Sequence, residues 1–177
     1  DPTGPQSVYG KSKLKGEGYL LNDPCSMIIR TSWLYSQFGK NFVKTIIQKA
    51  RENKILKVVS DQTGSPTYAR DLAKAILAII DHTQLQGNSF PASIFHYSNL
   101  GKASWFEFTK EILRLSGLKC EVIPIKTSDL NAPAQRPEYS VMDKRKICRT
   151  FNLQIPDWRN SLSDCIALMK NKNSTYD

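Results

Sequence analysis

Ser26-Met-Ile-Ile-Arg-Thr-Ser-Trp33, then Phe42-Val-Lys-Thr-Ile-Ile-Gln-Lys-Ala50, then Ile55-Leu-Lys-Val-Val-Ser60, form the stretch whose reading decides the fold. The first and last runs are short, apolar and rich in β-branched residues, which predicts buried strands. Between them Phe42, Val43, Ile46, Ile47 and Ala50 recur at helical spacing after Asn41, and the lysines fall on the other side. That predicts an amphipathic helix. A chain that alternates strand, helix and strand belongs to the α/β class.

The alternation continues on both sides. Val8 to about Leu21 reads as a helix stopped by Asn22-Asp-Pro24, because proline disfavours helix at the residue before it. Asp61-Gln-Thr-Gly-Ser-Pro-Thr67 reads as a polar loop, followed by an apolar helix from about Asp71 to His82 and strand character at Ile94-Phe-His-Tyr-Ser-Asn99. Ser104 and Glu107 have the spacing of a capping box, Trp105, Phe108, Ile112 and Leu115 supply the buried stripe behind it, and Gly117 is placed to stop that helix. Cys120 to Ile125 predicts a short strand and Asn131 to Pro137 a proline-rich loop. A short helix near Lys144 to Thr150, capped by Asp143, and a last helix after Asp157 complete the order.

Composition excludes several classes. The longest aliphatic run, Ala75-Ile-Leu-Ala-Ile-Ile80, is far short of the ~20 residues a bilayer crossing needs, so a soluble, cytoplasmic protein away from membranes is expected. Cys25, Cys120, Cys148 and Cys165 are widely spaced and only His82 and His96 could assist them, so neither a metal site nor a disulfide framework is expected. They read as reduced, mostly buried thiols. The formal charge of +9 comes from lysines scattered along helices rather than massed with aromatics, which argues against nucleic acid as a partner. With no initiator methionine and an opening Asp1-Pro-Thr-Gly-Pro5 that reads as a loop entered midway, the chain is expected to be part of a longer protein.

Tyr9-Gly-Lys-Ser-Lys13 places a phenol and an ammonium one helical turn apart. A phenol ordinarily holds its proton too tightly to exchange it at neutral pH, and a nearby ammonium stabilises the phenolate. The spacing alone decides little: seven tyrosines and 17 lysines in 177 residues give roughly 0.7 such matches by chance. Its meaning depends on company.

That company is Arg30-Thr-Ser-Trp-Leu-Tyr35 with Gly39-Lys-Asn-Phe42, then Asp61-Gln-Thr-Gly-Ser-Pro-Thr67, then Arg136-Pro-Glu-Tyr-Ser-Val-Met-Asp143, with Asn99 to Phe108 and the closing Trp158 and Leu162. In this order the blocks resemble the extended short-chain dehydrogenase/reductases, most closely the dTDP-4-dehydrorhamnose reductases. The resemblance implies a partial Rossmann-type parallel sheet with an interleaved smaller substrate-binding domain. Residues 1–99 would be mainly the cofactor domain, with 41–68 contributing to the substrate domain, and 100–177 the rest of the substrate domain. It also implies NADPH or NADH as cofactor, a dTDP-linked 4-keto-6-deoxy sugar as partner, and room for a homodimer.

In that mechanism Tyr9 protonates the alkoxide that forms when hydride reaches C4 of the sugar, and Lys13 holds the nicotinamide ribose and supports the phenolate. Trp33, expected to end its strand, would line the sugar pocket. Asn41 would either hydrogen-bond the ligand or cap its helix. Gln62, Thr63, Gly64 and Thr67 would supply polar groups and a close backbone approach to the nucleotide sugar, and Arg136 would clamp the diphosphate through its fork of donors or else form a surface ion pair. No Gly-x-x-Gly-x-x-Gly occurs in the chain, and the family's upstream Thr or Ser is absent too, so the 177 residues alone are expected to be inactive and at best weak in cofactor binding. They are also expected to expose a sheet edge and self-associate. Two other readings stand beside this one: another nucleotide-sugar epimerase or dehydratase of the superfamily, or a non-catalytic reductase-like subunit regulating methionine adenosyltransferase.

Overall fold

The computed structural model describes residues 2–23, 25–85, 93–130 and 136–173. In chain order the elements are α1 (Val8–Leu20), β1 (Met27–Arg30), β2 (Leu34–Tyr35), α2 (Phe42–Glu52), β3 (Ile55–Val59), β4 (Thr63–Gly64), β5 (Thr67–Tyr68), α3 (Ala69–Leu85) and β6 (Ser93–His96). β7 (Ala103–Ser104), α4 (Trp105–Ser116), β8 (Glu121–Ile125), a 3-10 turn (Thr127–Asp129), α5 (Arg145–Phe151) and α6 (Trp158–Asn173) follow. The alternation expected from sequence is present, and the chain is α/β.

Helix boundaries follow their caps. Ser104 Oγ accepts from the Glu107 backbone N–H at 3.1 Å while the Glu107 carboxylate takes the Ser104 N–H at 2.7 Å, and Gly117 ends α4 at φ +73°. The cap expected of Asp143 is displaced by one residue: Lys144 is the N-cap of α5 and makes no side-chain cap bond, while Asp143, one position further out, accepts the Arg145 N–H at 2.9 Å. Residues 131–135 of the expected proline-rich loop lie outside the described residues.

Strands pair across long connections. β1 runs parallel to β6, with Met27 opposite Ser93 and Arg30 opposite His96, and β3 runs parallel to β8, from Ile55 opposite Glu121 to Val59 opposite Ile125. β2 is parallel to β5, and β4 is antiparallel to β7. Parallel neighbours need crossovers, and the helices supply them.

Two apolar clusters result. One gathers Val43 and Ile46 of α2, Leu56 and Val58 of β3, Phe108 and Ile112 of α4, and Trp158 and Leu162 of α6. The other joins Ala75 and Ile79 of α3, Phe95 of β6, and Ile147 and Phe151 of α5. Phe108, Ile112, Ile147 and Leu162 have no exposed surface, so each contributes about 1.5–3 kcal/mol of apolar burial.

A polar knot sits beside both clusters. Asn99, fully buried, donates from Nδ2 to Asp71 Oδ2 (2.8 Å), Ser161 Oγ (2.9 Å) and the Pro156 carbonyl (3.2 Å), while its Oδ1 accepts the Tyr68 N–H (2.8 Å). Ser161 in turn donates to the same Asp71 oxygen. One side chain thus joins β5, the start of α3 and the start of α6.

Three expectations need correction. The run from Ser26 does not remain a strand to Trp33: β1 ends at Arg30, and Trp33 lies in a turn at φ +51°. Asp61 to Thr67 is no open loop, because Gln62 and residues 64–67 are buried and the segment contributes β4 and part of β5. Of the four cysteines only Cys165 is buried; Cys120 and Cys148 are half-buried and Cys25 is exposed, since the aliphatic side chains around them fill the clusters first.

Candidate functional site

The turn after β1 organises the candidate site. Trp33 adopts a left-handed backbone conformation that costs a non-glycine residue about 1–3 kcal/mol, and the Thr67 N–H holds it there by donating to the Trp33 carbonyl at 3.1 Å. This conformation lays the indole flat against that of Trp105, with ring centroids 3.4 Å apart and planes 4° from parallel. Phe42 and Phe108 pack behind the pair.

Gly64 is the reason the stack fits. A Cβ there would lie 2.4 Å from Trp33 Cε2 and 2.7 Å from Ser140 Oγ. The close approach expected of this glycine therefore exists, with the Trp33 ring as the group that approaches. Gly64→Ala is expected to drive Trp33 off Trp105 and lower stability by roughly 1–3 kcal/mol. A thermal melt together with tryptophan fluorescence checks this; an unchanged melt and spectrum would show that the stack tolerates a methyl group.

Gln62 locks the second ring. Its Oε1 accepts from Trp105 Nε1 at 3.2 Å and its Nε2 donates to Thr127 Oγ1 at 3.0 Å, while Asp61 accepts from both the N–H and hydroxyl of Thr127. These hydrogen bonds hold the Asp61 carboxyl below the usual carboxylate range, with the Thr127 hydroxyl the largest influence. On the other side the segment at Tyr139 pairs with Thr63: the Thr63 N–H donates to the Glu138 carbonyl (2.7 Å) and the Ser140 N–H to the Thr63 carbonyl (2.9 Å).

Two cavities share Gln62, Trp105 and Arg136 in their walls. The smaller, about 330 Å³, is completed by Ser32, Trp33, Pro137 and Ser140. The larger, about 690 Å³, extends between α2 and β3, bringing Lys49 and Lys57 to its wall, and no carboxylate is among its described lining residues. Arg136 is exposed and forms no ion pair among the described residues. An aromatic floor joined to a cationic, carboxylate-free wall suits an anionic ligand with a polar ring.

Not every expected residue faces this space. Asn41 caps α2: its Oδ1 accepts from the Lys44 N–H, and its Nδ2 donates to the Ser36 and Phe38 carbonyls. The amide is spent on the helix start. Thr67 is fully buried, and its hydroxyl has no hydrogen-bond partner among the described residues. Asp143 is engaged by Arg145, whose side chain chiefly holds its carboxyl down at about 2.

Tyr9 and Lys13 lie on α1, the phenol 71% exposed and the Lys13 ammonium 5.4 Å from its ring centre. They do not line the cleft around Trp33. α1 packs on β1, whose next turn carries Trp33. Ser32 and Trp105 are cleft residues that sequence reasoning did not assign to the site; Trp105 occupied a position of the expected buried stripe, and its stacking depends on the conformation of Trp33.

These parallel strand pairs and crossover helices are the fold of nucleotide-sugar epimerases and reductases. A UDP-galactose 4-epimerase superposes with a TM-score of 0.76 at 17% identity over 97% of this chain, a likeness of fold alone. The family is narrower: the model of the RmlD substrate binding domain matches residues 1–171, and the chain belongs to that family. It is 40% identical over 165 residues, 93% of its length, to the Bacillus subtilis spore coat polysaccharide biosynthesis protein SpsK, of which it covers 55%. It is 39% identical to a Sinorhizobium fredii dTDP-4-dehydrorhamnose reductase, with 91% of this chain and 56% of that protein aligned. The crystal structure of a Bacillus anthracis dTDP-4-dehydrorhamnose reductase in complex with NADP superposes with a TM-score of 0.83 at 37% identity, covering 94% of this chain and 57% of that one. The chain thus spans little more than half the length of these relatives.

Proposed function

We propose that the chain carries the proton donor and sugar-nucleotide cleft of an NADPH-dependent reductase that converts the C4 ketone of dTDP-4-dehydrorhamnose to the alcohol of dTDP-rhamnose. The observation that carries this reading is the Trp33–Trp105 stack beside a wall of Lys49, Lys57 and Arg136 without carboxylates. Trp33 gives the deoxysugar a flat apolar face beside Gln62, while Gly64 and the buried Thr67 hold the Trp33 turn from behind and the main chain of Thr63 holds the Ser140 segment. Arg136 offers paired N–H donors to the diphosphate, which a guanidinium binds bidentately. Asn41 supports the cleft from the start of α2.

Tyr9 is the proton donor. As the ketone carbon accepts hydride, the phenol passes its proton to the oxygen, so the alcohol forms without a free alkoxide. Lys13 offers three donors and makes no ion pair among the described residues, which suits it to hold the nicotinamide ribose while stabilising the phenolate. When bound, NADPH supplies the hydride.

The test is direct. The full-length protein, given NADPH and dTDP-4-dehydrorhamnose, is expected to oxidise one cofactor for each sugar reduced. A changed sugar without net oxidation of NADPH would assign an epimerase or dehydratase instead, and no turnover at all would remove the enzymatic reading.

A further inference from the structure

We propose that Arg30 is a positioning residue for Tyr9 and Lys13, acting through Glu17; the inference rests on the reductase reading above. The observations concern how little else holds α1. None of its residues is buried, and its inward side consists of the half-buried Gly10, Leu14 and Glu17, which recur at i, i+4 and i+7. One leucine is a weak apolar seal, and Val8, Tyr9, Tyr19 and Leu20 face solvent. Apolar contact alone leaves the helix free to roll or slide on β1.

The Arg30–Glu17 pair removes that freedom. Arg30 Nε donates to Glu17 Oε1 at 2.7 Å and Nη2 to Oε2 at 2.5 Å, a two-pronged contact with the side chains only 32% and 14% exposed. A planar guanidinium accepts a carboxylate edge in one orientation, so rotating or translating α1 breaks at least one prong. Glu17 follows Lys13 by one turn and Tyr9 by two. At 3.6 residues per turn its side chain lies about 40° around the helix from Lys13, so fixing Glu17 fixes the direction in which the Lys13 side chain leaves the helix.

Arg30 also connects this helix to the cleft. It is the last residue of β1, its carbonyl accepts the Tyr97 N–H at 2.9 Å, and Trp33 lies three residues beyond it. The proton donor and the sugar platform are therefore referenced to one strand end. A displacement near 1 Å at a reacting group costs about 100-fold in rate, so the pair controls turnover without touching substrate.

In the full-length protein, Arg30→Ala and Glu17→Gln are each expected to lower kcat about 10- to 100-fold with KM for the sugar nucleotide nearly unchanged. Arg30→Lys, which keeps the charge without the fork, should recover part of the loss. Exchanging the partners, Glu17→Arg with Arg30→Glu, should recover more than either single change, and the Arg30→Ala/Glu17→Gln double variant should be no worse than the poorer single one. A lower melting temperature with kcat per folded molecule unchanged would reduce the pair to a structural contact and overturn the inference. If the unaltered protein oxidises no NADPH, the reductase reading fails instead. Hydrogen exchange then still decides the tether: Arg30→Ala should speed exchange in residues 8–20 selectively, and unchanged exchange there would overturn it.

Discussion

Tyr9→Phe in the full-length protein is expected to lower kcat by about 10²- to 10⁴-fold and leave binding of the sugar nucleotide intact. The change removes one oxygen from a side chain that is 71% exposed, on a helix with no buried residues, so nothing in the core depends on it. What disappears, in the proposed mechanism, is the acid that would meet the nascent alkoxide. Lys13→Met should weaken cofactor binding as well, because in the proposed mechanism its ammonium would serve both the ribose and the phenolate. Stopped-flow oxidation of NADPH with Tyr9→Phe, compared with the affinity for the sugar nucleotide by calorimetry, separates the two effects. Undiminished oxidation would assign the proton to another group and leave Tyr9 a surface aromatic.

The second large effect concerns folding. Asn99→Leu is expected to destabilise the chain by roughly 3–5 kcal/mol, because it strips four hydrogen bonds from a fully buried amide and strands the Tyr68 N–H, while the Pro156 carbonyl keeps only the Leu100 N–H. The Asp71 carboxylate would keep only Ser161 as a hydrogen-bond donor in the knot. Against a typical total of about 5–15 kcal/mol, that is a large share of the stability. At ~2–4 °C per kcal/mol for a chain of this size, the melting temperature should fall by about 10 °C. Asn99→Asp should also be costly, since it replaces the donating amide with a second carboxylate beside Asp71. A melt within a degree of the parent for Asn99→Leu would mean that other contacts hold α3, β5 and α6 together.

Local signals were legible where the sequence contains both partners. Ser104 and Glu107 are three residues apart, so their capping box could be read directly, and the stripe of Val43, Ile46 and Ala50 carried the outline of α2. The α/β alternation followed from such short-range patterns. The geometry of the cleft did not. The conformation of Trp33 depends on Gly64, 31 residues later, leaving room for an indole, and on Thr67 holding the turn's carbonyl. The chain from Asp61 to Thr67 looked like a loop because its residues are polar; it is buried because Thr127, Trp105, Gly101 and Ser140 satisfy those polar groups from distant segments. The placement of Asn41 was half legible, with the cap identified as one of two roles and the carbonyls of Ser36 and Phe38 visible only in three dimensions.

The pairing of Thr63 with Glu138 and Ser140 runs through main-chain groups, while Tyr139 between them is 62% exposed. The frame of that wall is thus indifferent to which side chains hang from it. Position 139 can therefore change without the protein refolding: exchanging Tyr139 leaves in place the main-chain hydrogen bonds that hold the segment beside Ser140. A library confined to this position is expected to cost little stability, and the deeper Trp33–Gly64 pair, where an added Cβ would meet the indole at 2.4 Å, is the place where such freedom ends.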